Sequence, residues 1–210
     1  MRHELTYSSL FAYCPNIDTA EGKKAKEFIR CLKNNHPISG ITPSEIVARN
    51  ILKSPLRNIF HSEVALIPVP RAAPIRKDYL WPSLEIAKKM QSLRLGKVFT
   101  LLERKEKVNQ SSASPPMERP KPTKHFQTLS IIEKIQDADF VILVDDVVTR
   151  GHTFMGCAWK IEEAYPNVDI HAFAAIRTIS NPKDFKGFYD PVEKGMITYR
   201  RVSDDCLRRP

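Results

Sequence analysis

The sequence predicts an α/β fold, with a central, mostly parallel sheet flanked by helices. Three observations carry that prediction. Short apolar runs rich in β-branched residues recur at 64–69, 98–102, 140–144 and 169–176, and a strand with helices on both sides is apolar on both faces. Between such runs lie apolar residues at helical spacing, as in Leu84, Ala87, Met90 and Leu93. The run at 140–144 stops at two adjacent acids, Asp145 and Asp146, and a Thr/Gly loop then opens another helical stretch. Ligands of open α/β sheets sit beyond the carboxyl ends of the strands, where these acids would stand.

Taken in order, residues 5–13 alternate loosely and read as a strand or a packed arm. Asp18, Thr19, Ala20 and Glu21 resemble a capping box ahead of Ala25, Phe28, Ile29 and Leu32. Lys23, Lys24, Lys26, Arg30 and Lys33 surround that stripe, and a solvated helix face accounts for them better than a nucleic-acid surface. The next start signal is stronger: Thr42 as N-cap, Pro43 at the first helical position, Glu45 closing the box, and Ile41 with Ile46 as staple. That helix ends near Lys53. The strand at 64–69 runs into a stiff loop with Pro68, Pro70 and Pro74. The loop is either structural punctuation or a second anion site with Arg71, Arg76 and Lys77 as donors. A helix follows from Pro82 to near Gly96, then a strand at 98–102.

From 103 to 126 the pattern collapses. Ser111, Ser112 and Ser114 precede Pro115, Pro116, Pro120 and Pro122. Such a stretch inside one domain is a flexible loop, either a lid or a solvated linker. A short helix is expected at 128–136, a longer one at 154–164, and a last strand at 196–202.

At 210 residues the chain can bury one substantial core. We expect 1–63 to be an N-terminal hood or accessory segment, 64–178 the α/β core, and 179–210 an extension of the same domain. The net charge of +9 points to polyanionic partners. Nucleic acid is compatible with it, but no nucleic-acid motif supports that partner. Cys14, Cys31, Cys157 and Cys206 lack C-x-x-C spacing, which suggests reduced thiols in a cytoplasmic protein rather than disulfides or a zinc site. No run of eighteen apolar residues predicts a membrane span.

The stretch at 141–153 combines acids with an anion cradle. Gly151 lets the backbone turn closely, Thr149 and Thr153 offer hydroxyls, and the unpaired N–H groups of the next helix favour a phosphate. A phosphate-binding P-loop would need G-x-x-x-x-G-K-[ST] and a dinucleotide fold G-x-G-x-x-G; both are absent. Four apolar residues, two acids, two apolar residues and Thr-x-Gly-x-Thr instead resemble the PRPP-binding motif of type I phosphoribosyltransferases. The order of elements over 64–178 is similar too. Ile67-Pro68-Val69-Pro70 and Ala174-Ala175-Ile176-Arg177-Thr178 look most like the ComF-type subgroup, linked to DNA uptake.

That resemblance implies the type I phosphoribosyltransferase fold, in a homodimer. It implies transfer of phosphoribose from PRPP to a nitrogenous acceptor, with release of pyrophosphate and magnesium as cofactor. Asp145 and Asp146 would bind the ribose hydroxyls as catalytic acids and touch the metal indirectly. Thr149, Arg150, Gly151, His152 and Thr153 would hold the 5-phosphate. Pro70, Arg71, Ala72 and Ala73 would receive pyrophosphate. Arg104, Lys105 and Lys124 would be the cations of the flexible loop that folds over the complex. Two departures stand out. Arg150 and His152 fill positions commonly small or hydroxylated, and either add charge to the phosphate site or engage another partner. Arg71-Ala72 replaces the small-basic-glycine sequence common at the pyrophosphate site. A PRPP- or nucleotide-binding regulator on the same fold is therefore the alternative to an enzyme.

Overall fold

The computed structural model describes residues 1–74, 79–109, 118–135 and 139–210. Arg76, Lys77 and the serines of the 103–126 segment lie outside the described residues. In chain order the elements are β1 (Glu4–Tyr13), α1 (Ala20–Asn34), α2 (Pro43–Lys53), β2 (Ala65–Pro68), α3 (Pro82–Ser92), β3 (Lys97–Val98) and β4 (Leu102–Arg104). There follow α4 (Pro122–Gln127), β5 (Leu129–Ile131), β6 (Phe140–Val148), α5 (His152–Ala164), β7 (Asp169–Thr178), β8 (Tyr189–Arg200) and β9 (Asp205–Arg209).

Seven strands form one sheet in the order β3-β2-β6-β7-β1-β8-β9. The five from β3 to β1 run parallel, and β8 and β9 add antiparallel to the β1 edge. Helices α1, α2 and α3 cover one face, burying Leu10, Phe28, Val47, Ile51, Met90, Ile142 and Phe173 together. Helix α5 covers the other, with Leu5, Ile67, Leu143, Phe154, Trp159 and Ala172. Central strands are thus apolar on both faces because both faces are covered. β4 and β5 form a separate antiparallel pair.

Local signals explain most helix ends. The Thr42 hydroxyl accepts from the Glu45 N–H, and α2 ends at Lys53. In α1 the cap is Thr19 rather than Asp18, accepting from the Gly22 N–H, and the helix closes on Asn35 in the left-handed region at φ 51°.

Two expectations are corrected and one is extended. Residues 1–63, expected as a hood or accessory segment, are also built into the sheet: β1 lies between β7 and β8, and α1 and α2 cover one of its faces. The loose alternation of residues 5–13 hid this, since β1 is buried from Tyr7 to Ala12 on both sides. The helix expected at 128–136 lies earlier, at Pro122–Gln127. The Thr128 hydroxyl donates to the Lys124 carbonyl at its end, and Leu129 pairs with Arg104. Proline at the first helical position starts the segment, and β-branched Ile131 suits the strand that follows. The apolar run at 98–102 splits between β3 and β4, which belong to different sheets.

Candidate functional site

β6 does not stop at its acids. It continues through Asp145 and Asp146 to Val148, with Asp145 opposite Ala174 and Val148 opposite Arg177 on β7. Its other neighbour, β2, ends at Pro68 opposite Val144. The acids thus stand where one neighbour has ended and the other continues, so the strand's free edge opens to a cleft. That cleft, of about 690 Å³, is lined by Pro70, Arg71, Ala72, Arg104, Asp145, Asp146, Thr149 and Thr153, and by Lys33, Asn34 and His36 from the end of α1. Much of the expected constellation therefore meets in one place.

The two acids are not equivalent. Asp145 accepts from the Asp146 N–H at 2.9 Å, and Asp146 from the Val147 N–H at 2.8 Å. Burial, then the neighbouring Asp146 charge, pushes the Asp145 carboxyl well above the usual carboxylate range, with Lys33 opposing weakly.

Beyond β6, Gly151 adopts φ 92°, and a Cβ there would come within 2.7 Å of the Ile197 side chain on β8. Both conformation and space demand glycine. Helix α5 starts directly after it with no side-chain cap, so its first N–H groups remain available. A smaller cavity of about 50 Å³ lies at this end, bordered by Arg119, Asp145 and residues 147–154. Thr149 and Thr153 border both this cavity and the larger cleft, and Gly151 borders this one.

The polar tips of Arg150 and His152 turn elsewhere. Arg150 Nη1 donates to Asp205 Oδ2 at 2.8 Å, and His152 Nε2 lies 2.6 Å from Asp205 Oδ1 while its Nδ1 lies 3.0 Å from the Pro120 carbonyl. Both residues thus engage this chain's own β9, and His152 the end of the 103–126 segment, while they still border the small cavity. Burial acts to raise the Asp205 carboxyl, but hydrogen bonds from His152 and Arg150 outweigh it and hold the group below its ordinary range.

The Pro70 loop is pinned from both sides. The Val69 carbonyl accepts from Trp81 Nε1 and Ser83 Oγ, each at 2.7 Å. Arg71 donates to the Leu80 carbonyl and lies over the Tyr79 ring, and the Ala72 carbonyl accepts from the Val108 N–H at 2.7 Å. Arg104 is corrected. Instead of an exposed loop cation it is a buried anchor at 1% exposure, donating to the carbonyls of Arg71 and His125, to Thr128 Oγ1 at 2.5 Å and to His125 Nδ1 at 3.2 Å. Lys105 and Lys124 are exposed, and Lys124 pairs with Glu106.

Four contributing residues carried no sequence signal. Asp205 holds Arg150 and His152, and Asp204 holds Thr123 and Tyr199. Arg208 donates to the Thr149 carbonyl at 2.6 Å and to the Tyr7 hydroxyl at 2.7 Å. His125 joins Arg104 to Thr153. Each partnership except Tyr199–Asp204 spans at least 21 positions, beyond the reach of local patterning.

No protein-family model matches the chain, and no curated protein matches it. Among solved structures the chain is similar to a hypoxanthine phosphoribosyltransferase from Staphylococcus aureus, at 11% identity over 79% of this chain and 71% of that one, with a TM-score of 0.30. At that score nothing about this chain is inferred from the likeness.

Proposed function

We propose that the chain is a phosphoribosyltransferase, transferring phosphoribose from PRPP to a nitrogenous base or amine and releasing pyrophosphate. One observation carries the reading: the Asp145–Asp146 pair lines one cleft together with Thr149 and with Thr153 in the first turn of α5, a helix that starts without a side-chain cap. A ligand with a vicinal diol and a terminal phosphate matches that order of groups. Asp146 accepts the ribose hydroxyls and offsets the positive charge that develops on the sugar as pyrophosphate leaves, while Asp145 orients it by accepting the Asp146 N–H. The α5 N–H groups hold the 5-phosphate. The leaving group lies toward Pro70, Arg71, Ala72 and Ala73, with Arg104 behind them.

Magnesium fits the donor set. It commonly binds substrate phosphates and water with help from one or two carboxylates, and Asp145 and Asp146 would reach it indirectly, through water or the ribose hydroxyls. When bound, it would neutralise the departing pyrophosphate. The same reading places the protein in the cytoplasm as a homodimer, close to the ComF-type subgroup.

A second reading, a PRPP- or nucleotide-binding regulator without turnover, is favoured by the engaged side chains of Arg71 and Arg104. Thermal unfolding with PRPP and magnesium tests both, because a ligand that prefers the native state raises Tm. We expect a rise that Asp146→Asn abolishes with the fold intact; no shift at millimolar PRPP sinks both readings. Pyrophosphate release across a panel of bases and amines then separates enzyme from regulator.

A further inference from the structure

The Arg104–His125–Thr153 chain links the base of the 103–126 segment to the anion cradle. Arg104 is a guanidinium, so at 3.2 Å from His125 Nδ1 it must donate and Nδ1 must accept. The ring proton is then left on Nε2, which lies 3.4 Å from Thr153 Oγ1. His125 and Arg104 are both buried, at 3% and 1% exposure. Burial, then the Arg104 charge, lowers the His125 pKa to about 3, so the ring is neutral at physiological pH. The ring's location is set by α5 itself: a Cβ on Gly156 would lie 2.5 Å from His125 Cβ and 2.9 Å from the Phe126 nitrogen, so only glycine lets α4 approach this closely.

We propose that His125 is a positioning residue for the anion cradle, acting through Thr153: its Nε2–H occupies the Thr153 hydroxyl oxygen and leaves that hydroxyl's own proton to be donated to a bound phosphate. A hydroxyl has one donor and can accept while it donates. Among the described residues the Thr153 hydroxyl has no acceptor of its own, and Thr153 borders both cavities. Arg104 sets the tautomer, the tautomer sets the direction of the hydroxyl, and the hydroxyl meets the ligand. Fixing that direction in advance spares the bound state the loss of rotational freedom. The inference rests on the cradle binding a phosphate, which is the reading given above, and adds a group outside the motif to it.

Two measurements test it with the full chain. Nitrogen-15 NMR of the histidine rings in the free protein reads the tautomer without any ligand. We expect His125 neutral and protonated on Nε2; protonation on Nδ1 overturns the proposal, whatever the protein binds. Ribose 5-phosphate affinity by calorimetry then forms a double-mutant cycle. Thr153→Val should weaken binding about tenfold, the size of a hydrogen bond to a charged group. His125→Phe should weaken it several-fold, and His125→Gln, whose amide can replace the Nε2 donor, should recover most of the loss. In the Thr153→Val background the His125 substitutions should change affinity by less than about twofold. Additive losses in the cycle would mean that His125 acts by supporting the fold alone and overturn the proposal. Thermal protection by PRPP and magnesium remains a separate result, so failure of the proposal and failure of the phosphoribosyl reading stay distinguishable.

Discussion

Asp145 and Asp146 are neighbours in sequence, and burial together with the adjoining Asp146 charge raises the Asp145 carboxyl well above its ordinary range. Asp145 holds its proton more tightly because its carboxyl is desolvated and faces the charge of Asp146. A carboxyl whose folded pKa is raised lowers stability as pH rises from its unfolded value of about 4 toward the folded value, where the loss is complete, since the charge is better solvated in the unfolded chain. Asparagine mimics the protonated form and keeps an oxygen for the Asp146 N–H. Asp145→Asn should therefore raise Tm at pH 8 by roughly 2–4 °C, equivalent to about 1 kcal/mol in a chain of this size. The gain should shrink toward zero near pH 4. Differential scanning calorimetry at the two pH values checks it, and a uniform loss of Tm would show that both acids are needed ionised by the fold. The acids, Thr149, Gly151 and Thr153 were legible in sequence because their chemistry is contiguous. The inequality of the acids was not, because desolvation depends on what folds over them.

At the scale of elements, the β8–β9 hairpin braces the site from outside it. Asp205 receives Arg150 and His152, Arg208 holds the Thr149 carbonyl, and Ile197 fills the space against Gly151. Arg150 is half exposed, so its ion pair contributes little, whereas His152 is buried and its contact with Asp205 carries more weight. We expect Asp205→Ala to cost about 1–3 kcal/mol, the range for a hydrogen bond involving a charged group, read as a lower urea midpoint at pH 7. The sign of the pH dependence follows from the lowered carboxyl. Its contribution is full above the ordinary unfolded value of about 4 and is lost as pH falls through the folded value. Wild type and variant should converge in strong acid; a constant gap would mean the loss is packing rather than charge. The hairpin was barely legible in sequence. Its strands have neither clean alternation nor a Gly-rich turn, and β9 is held by pairs such as Arg150–Asp205 that lie 55 positions apart.

For the molecule as a whole, the sequence showed the parallel middle of the sheet but not that β1 lies within it. A continuous apolar strand such as 140–144 announces itself, while β1 carries Ser8 and Ser9 in its buried centre. Those polar residues are accommodated because each has a partner: Ser8 Oγ lies 2.5 Å from His171 Nε2, and Ser9 Oγ accepts from Arg177. Satisfied polar groups cost little inside a core but erase the pattern that marks a strand. β1 joins the parallel strands to the antiparallel pair through β7 on one side and β8 on the other. Deleting residues 1–63 would remove this central strand and would strip α1 and α2 from the sheet, exposing Ile142, Phe173 and Ile176. It would also detach the hairpin that braces residues 149–152. Each large buried apolar side chain left in water costs about 1.5–3 kcal/mol, and three such residues already rival the roughly 5–15 kcal/mol of net stability typical of a domain. Residues 64–210 alone should accordingly show no cooperative unfolding transition by circular dichroism and should bind a dye for exposed apolar surface. A sharp, reversible transition from that fragment would support a boundary at residue 63 and make β1 dispensable.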